Sequence, residues 1–470
     1  MLEPNHNLKQ AIHLALDDPY LQQALNTHPV QRTQRVDEIL TELGDVQKFR
    51  ELARQIKDYT LDHLDELLAQ LADQLQKLGG QVHWAADDRH ARQIILDIAQ
   101  QHNCRLCVKS KSMVSEEIDL AAALIKAGIE TVETDLGEFI IQLNNERPSH
   151  IITPSLHVSR KQVAQLFQDK LGAAYTENEE ELTQIARRYL RDKFQQADLG
   201  ITGVNFAVAE TGSLAIVTNE GNGRYCTARP PLHIALMGME KVISTPADLA
   251  VMLKLLARNA VGTRTSVYTN VVTGPARPGE PDGPEHLHLV ILDNGRSNVL
   301  AGPHRQLLRC LRCGACLNNC PVYRKIGGHA YGAVYPGPIG AALVPLLKSF
   351  DQYTPEMVEL SSLCGACLEN CPVMIDIPRI LINMRRELNE KKKSSLIYRL
   401  GLAAWTWFYS TEGRYRFYQR WLRRFLLLMS RRGWLKWAPP PASAWTHLRD
   451  VPLPAKHLFR DIWKKSNGKP

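Results

Sequence analysis

Seven of the ten cysteines in this 470-residue chain fall in two short runs. The first, Cys310-Leu-Arg-Cys313-Gly-Ala-Cys316-Leu-Asn-Asn-Cys320-Pro321, reads C-x2-C-x2-C-x3-C-P. The second is Cys364-Gly-Ala-Cys367-Leu-Glu-Asn-Cys371-Pro372. Thiolates are soft ligands suited to iron–sulfur clusters. Tight C-x2-C-x2-C spacing lets one loop curl around a cube, while the following C-P leaves extended and reaches a neighbouring cube. The chemistry implied is one-electron transfer. On this pattern two [4Fe-4S] clusters are expected. Cys310, Cys313, Cys316 and Cys371 hold the first, and Cys320, Cys364 and Cys367 hold the second. The pattern puts the missing fourth ligand three residues before Cys364, where the chain has Ser361. Several outcomes stay open there: a serine oxygen, another residue, a small molecule, a three-iron cluster, or an open iron that binds substrate. Zinc ribbons also use C-x2-C pairs, but seven cysteines with two C-P endings fit them poorly. A purely structural cluster is the other plain alternative. Cys104 and Cys107 form a lone C-x2-C beside a predicted strand, where side chains three apart face opposite sides. They are read as small buried residues, as is Cys226.

Elements must position these loops. Residues 1–75 are polar with helical periodicity and predict a helical N-terminal extension. Residues 76–298 alternate strand and helix, which predicts an α/β domain around a largely parallel, buried sheet. Within it Ala91–Gln101 and Asp248–Ala260 read as helices. Leu106–Val108, Ser149–Thr153 and His286–Leu292 read as strands, and Phe206–Glu210 with Ser213–Thr218 as a hairpin. Ser115 is expected to cap a helix. Residues 299–392 form the cluster module, in which C-G-A-C-L-x-N-C-P-V occurs twice. The Gly/Pro-rich stretch from Gly327 to Gly340 is too irregular for one element. Residues 393–470 form a basic, Trp-rich tail, with amphipathic helix over 395–430 broken at Thr411-Glu-Gly. An extended, docking segment is expected from Pro439.

Composition narrows the class. The 44% hydrophobic and 23% charged content is ordinary for a soluble protein. The N-terminus shows no signal-peptide pattern, and no run reaches the ~18 apolar residues of a spanning helix. With cysteines at cluster spacing, this predicts the reducing cytoplasm. Charge is uneven. Lys391–Pro470 carries 18 Lys/Arg against 3 Asp/Glu and seven of the eight tryptophans, whereas residues 1–390 carry 39 against 46. Such a tail suits an acidic partner protein or the inner face of a membrane, peripherally.

Polar, glycine-containing segments beside the strands could form a pocket, since α/β sheets bind ligands at strand ends. The candidate ligand-binding residues are Lys109, Lys111, Glu210, Thr211, Asn219, Asn222 and Arg224. No Walker loop or G-x-G-x-x-G fingerprint is present, and no catalytic residue can be named.

Together with the cysteine module, several segments resemble the lactate-utilisation iron–sulfur protein family, B subunit. They are Lys109-Ser-Lys-Ser-Met-Val-Ser-Glu-Glu, Glu133-Thr-Asp-Leu-Gly-Glu-Phe-Ile, Asn205-Phe-Ala-Val-Ala-Glu-Thr-Gly-Ser, Thr218-Asn-Glu-Gly-Asn-Gly-Arg, Leu292-Asp-Asn-Gly-Arg and Gly327-Gly-His-Ala-Tyr-Gly. The likeness spans essentially the whole chain. It implies an α/β lactate-utilisation domain, similar to the ribose-5-phosphate isomerase and CoA-transferase fold, followed by a mainly helical ferredoxin-type double-cluster module. It implies a role as the electron-transfer subunit of a flavin-independent complex oxidising L-lactate to pyruvate. The expected partners are a cysteine-rich A subunit, an α/β C subunit and an electron acceptor that the residues do not identify. The family's second run carries the same three cysteines, so Ser361 is a family trait. A self-sufficient organic-acid oxidoreductase is the main alternative. A cluster-bearing nucleic-acid binder is a weaker one, because Phe425-Leu-Leu-Leu-Met429 and the tryptophans suit a protein or membrane surface better. No nucleic-acid partner is expected.

Overall fold

The computed structural model describes residues 7–347, 356–391, 396–429, 433–438, 443–446, 449–453, 455 and 457–466. The chain divides into two compact units, Met1–Glu387 and Leu388–Pro470.

The first unit is built on a six-stranded sheet. Its ten strands overall are β1 (Gln81–Ala85), β2 (Leu106–Lys109), β3 (Glu130–Glu133), β4 (Leu199–Gly203), β5 (Phe206–Val208), β6 (Ser213–Thr218), β7 (Leu232–Gly238), β8 (Val242–Ile243), β9 (Tyr268–Val272) and β10 (His286–Leu292). The main sheet runs β1-β10-β7-β4-β2-β3, and every pairing in it is parallel. A smaller sheet, β8-β5-β6-β9, lies beside it, with β5 and β6 forming the predicted hairpin.

Period-2 alternation sorts the strand residues onto two faces. Leu232, Ile234 and Leu236 pack with Ala91, Ile95 and Ile98 of the helix Asp88–Gln101. Ala235, Met237, Leu289 and Ile291 pack on the other face with Leu64, Leu68, Leu71 and Leu75 of the helix Leu64–Lys77, and with the small sheet. Burial on both faces explains why β7 and β10 read as near-continuous apolar runs. Three further N-terminal helices, Leu8–Asp17, Pro19–Thr41 and Val46–Asp62, precede this layer.

Two local expectations are corrected. Ser149–Thr153 is a bent loop, not a strand. Its backbone is used locally: Ser149 N–H donates to Pro154 O, and the N–H groups of Ile152 and Thr153 donate to His150 Nδ1. The Ser149 carbonyl is taken by the Tyr323 hydroxyl at 2.8 Å. The cap assigned to Ser115 belongs to Ser112, whose Oγ accepts from Ser115 N–H at 3.2 Å.

The second unit contains the helices Leu396–Tyr409 and Glu412–Met429, with the break where the sequence puts it. Phe408 stacks on Tyr418 at 4.7 Å, and the Arg414 guanidinium lies 4.5 Å from the Trp407 ring centre. Neither helix buries a residue. The tail is not simply extended. Trp434–Leu435 pairs antiparallel with Val451–Pro452, and Phe459–Ser466 is a helix. Pro439–Pro441 lie outside the described residues. Among the described residues no helix is long and apolar enough to cross a membrane.

A buried ionic network joins the carboxyl edge of the main sheet to the first cysteine run. Arg296, after β10, bonds Glu117 through both terminal nitrogens at 2.9 and 2.8 Å, and Glu240, after β7, through Nε at 2.7 Å. All three side chains are essentially inaccessible to water. Asn294 and the Tyr335 hydroxyl each donate to Glu117 at 2.6 Å. Arg312, inside the first cysteine run, stands 3.6 Å from Glu240 and 4.3 Å from the Tyr335 ring centre. Burial pushes the Glu240 carboxyl up, but Arg296, Lys241 and Arg312 outweigh it and hold it at about 2, against an ordinary 4.5. Arg296→Met removes the buried cation that pairs with both Glu117 and Glu240. It is expected to cost about 3–5 kcal/mol near neutral pH, read by urea unfolding. Because the folded value is depressed, this difference should hold above pH 4.5 and shrink as pH falls towards 2.

Candidate metal centres and the cavity beside them

The two cysteine runs fold alike. In each, a glycine at positive φ, Gly314 (75°) or Gly365 (89°), opens a four-residue helix, Ala315–Asn318 or Ala366–Glu369. The closing bonds repeat. Leu317 N–H donates to Gly314 O and Leu368 N–H to Gly365 O, at 3.0 and 2.9 Å. Cys320 and Cys371 then donate to Leu317 O and Leu368 O, both at 3.1 Å. Asn319 and Asn370 side chains return to Ala315 O and Ala366 O at 3.0 and 2.9 Å. The internal repeat of the sequence is therefore a repeat of backbone hydrogen bonds.

The two runs lie against each other, and Cys371 of the second comes within electrostatic reach of the first. Cys313 and Cys316 feel the charges of Cys310 and of Cys371, the terminal cysteine of the other run. Cys367 feels Cys320, Cys364 and Cys371, and Cys320 feels Cys364. Cys316 and Cys367 are also within electrostatic reach, so the two groups are neighbours. Burial pushes Cys313 and Cys367 up to about 12 and Cys371 to about 11. Such thiols stay protonated unless a metal displaces the proton. Backbone N–H groups already aim at sulfur: Arg312 at Cys310, Tyr323 at Cys320 and Ile375 at Cys371, at 3.4, 3.5 and 3.4 Å. Buried soft donors with N–H support suit an iron–sulfur group. Among the described residues, no three His, Cys, Asp or Glu side chains converge closely enough for a single metal ion.

Several elements hold the runs in place. Arg50, on the helix Val46–Asp62, donates to Glu369 O at 2.7 Å. His150 bonds Asn318 at 3.2 Å, and Lys241 donates to Cys310 O at 3.4 Å. Cys104, Cys107 and Cys226 are buried in the α/β core, away from both runs, as expected.

A cavity of about 400 Å³ opens at the carboxyl ends of β2, β4 and β6, and Leu311 and Arg312 of the first run form part of its wall. Of the candidate ligand-binding residues, Lys111, Asn219 and Asn222 line it. Lys109, Glu210, Thr211 and Arg224 do not. Lys109 points elsewhere, fully buried among Glu133 at 2.9 Å, Glu116 at 3.2 Å and Glu138 at 3.9 Å. Glu210 and Thr211 occupy the hairpin turn, and Arg224 is exposed on a short helix. Sequence reasoning missed Arg32, Asp135, Lys241 and Arg312 on the cavity wall. Asn222 is 6% exposed, and neither of its amide atoms has a hydrogen-bond partner. The Arg312 Nη1 is likewise buried without one. The wall carries the cations Arg32, Lys111, Lys241 and Arg312 and the carboxylates Asp135 and Glu220, and its unpartnered Asn222 amide and Arg312 Nη1 could receive a small anionic ligand.

Three family models match successive parts of the chain. The LUD domain covers residues 68–292, a 4Fe-4S dicluster domain 306–375, and the lactate utilisation protein B C-terminal region 384–467. Lactate utilization protein B of Bacillus pumilus is 43% identical, across 97% of each chain. The chain belongs to the lactate utilization protein B family. The family member from Bacillus subtilis is 42% identical, over 96% of this chain and 95% of its own. A DUF162 family protein of known structure from Deinococcus radiodurans aligns with 49% of this chain and 98% of its own. At 13% identity and a TM-score of 0.28, that likeness carries no argument.

The crossed pairing expected from the spacing predicts that Cys371→Ala damages the group containing Cys310, not only its own run. After anaerobic reconstitution, iron and sulfide should fall from about eight of each per chain towards four, and the surviving spectrum should be that of the other cluster.

Proposed function

We propose that this chain is the iron–sulfur electron-transfer subunit of a system that oxidises L-lactate to pyruvate and so allows growth on lactate. The observation that carries the reading is the repeated cysteine turn, with backbone N–H groups aimed at Cys310, Cys320 and Cys371, in two runs that lie side by side. Cys310, Cys313, Cys316 and Cys371 would hold one [4Fe-4S] cluster, and Cys320, Cys364 and Cys367 a second. When bound, the clusters would accept and pass on electrons one at a time. The chain's own residues bury Cys313, Cys320, Cys367 and Cys371, aim N–H groups at the sulfurs of Cys310, Cys320 and Cys371, and set the two runs side by side. Relatives named for lactate utilisation, similar along nearly their full length, support the substrate.

A cysteine-rich A subunit and an α/β C subunit are the proposed partners, in the cytoplasm. The basic tail is the proposed contact with them or with the inner membrane face. The division at 1–75, 76–298, 299–392 and 393–470 is retained as functional parts. The kinship of the α/β part with ribose-5-phosphate isomerase and CoA-transferases, and the mainly helical nature of the cluster module, belong to the same proposal.

A second reading is favoured by the cavity: the α/β part itself binds the organic acid. Lys111, Asn222 and Arg312 would meet its carboxylate, against the wall formed by the first cysteine run.

Anaerobic purification with the partner subunits tests the main reading. Iron and sulfide should accompany the chain, and the complex should oxidise L-lactate in preference to D-lactate and glycolate. Stoichiometric zinc without visible absorbance would overturn it. For the cavity, Asn222→Leu should weaken binding of L-lactate or pyruvate to the isolated chain about tenfold, or about 1.4 kcal/mol, by calorimetry. Its iron content should not change.

A further inference from the structure

The likeness of the two cysteine runs extends back to a residue that is not a cysteine. In the first run, Arg312 N–H donates to Cys310 Sγ at 3.4 Å. In the second, Leu363 N–H donates to Ser361 Oγ at 3.1 Å. The two donors share an uncommon backbone conformation, with φ of 62° at Arg312 and 56° at Leu363. Residues with a Cβ pay to adopt it. The glycines that follow, Gly314 and Gly365, repeat the pattern, as do the helix-closing bonds beyond them. The two turns therefore share these bonds and this backbone conformation, and Ser361 Oγ holds in the second turn the place of Cys310 Sγ in the first.

The position is also braced. Arg385 donates from Nε to Val358 O and from Nη2 to Ser361 O, both at 3.1 Å. Met357 and Val358, just upstream, are buried. Ser361 is thus fixed from two sides, by its own turn and by the helix Ile377–Glu390 that carries Arg385.

We infer that Ser361 Oγ is the fourth protein ligand of the second iron–sulfur cluster. The inference rests on the two-cluster reading above. On ligation the hydroxyl gives its proton to water and the oxygen forms one bond to iron, with no electron transferred. Oxygen is a harder donor than thiolate. The second cluster therefore differs from the first at one corner only, the corner that Cys310 supplies in the first. The Leu363 N–H supports the alkoxide as Arg312 N–H supports the Cys310 thiolate.

The test uses the full chain, reconstituted anaerobically, with wild type, Ser361→Gly and Ser361→Cys compared. Electron paramagnetic resonance is recorded in ordinary and in oxygen-17-labelled water. In the wild type the label should not broaden the second cluster's signal, because a serine oxygen does not exchange. In Ser361→Gly the corner opens, so the signal should broaden, or the second cluster should lose about one of its four irons. Ser361→Cys should keep all the irons and shift the potential and spectrum of the second cluster, leaving the first unchanged. Broadening of the wild-type signal would put solvent at that corner and overturn the assignment. So would identical iron content, potential and spectra in the wild type and Ser361→Gly, or loss of the second cluster from Ser361→Cys as well as Ser361→Gly. Absence of iron and sulfide from the wild type itself would instead bring down the two-cluster reading on which the assignment rests.

Discussion

The guanidinium of Arg296, sealed from water between Glu117 and Glu240, is the constraint around which this molecule is organised. A buried charge left without its partner costs several kcal/mol. The segments after β2, β7 and β10, which supply Glu117, Glu240 and Arg296, must therefore meet at one point. That point lies at the carboxyl edge of the sheet, where α/β folds gather their ligands. Glu240 also meets Arg312, and Tyr335 bonds Glu117 while lying beneath the Arg312 guanidinium. The first cysteine loop is thus fixed to the sheet by the same charges that close the sheet's edge.

Cavity and cysteine loop consequently share a wall. Arg312 belongs to the first cysteine run by sequence and to the cavity by position. A ligand in the cavity would lie against the loop that carries Cys310 and Cys313, so ligand charge and cluster charge would act on common groups. The second run has only three cysteines, and the two turns fold against each other, with the N-terminal helix carrying Arg50 holding the second of them.

The second unit follows a different logic. Its two long helices bury nothing, and its aromatic rings stack on one another and beneath arginines. Long basic side chains can cover apolar surface with their stems while their charges stay in water. That arrangement suits a surface that meets an anionic partner, consistent with the excess of Lys and Arg after Lys391.

Much was legible in the residues themselves. Cysteine spacing marks two related runs because thiolate ligation tolerates few loop geometries, and in the fold the two runs repeat the same turn and lie within electrostatic reach of each other. Strands such as His286–Leu292 and the break between the two C-terminal helices are local matters of apolar pattern and helix breaking, so they too could be read. Ser149–Thr153 could not. Its apolar residues look like a strand, but its carbonyls and amides are claimed by His150 and Tyr323. The cavity was half legible. Asn219 and Asn222 sit in a glycine-rich segment and Lys111 in a polar one at a strand end, whereas Lys109 looks equally suitable and is consumed by three carboxylates. Spacing likewise marked Ser361 as a gap, while only the folded turn shows its oxygen accepting the bond that Cys310 sulfur accepts in the first run. Ligand type and spacing are properties of the chain. Which charges neutralise one another, and which side chains face a common space, depend on residues far apart in sequence, and only packing brings those together.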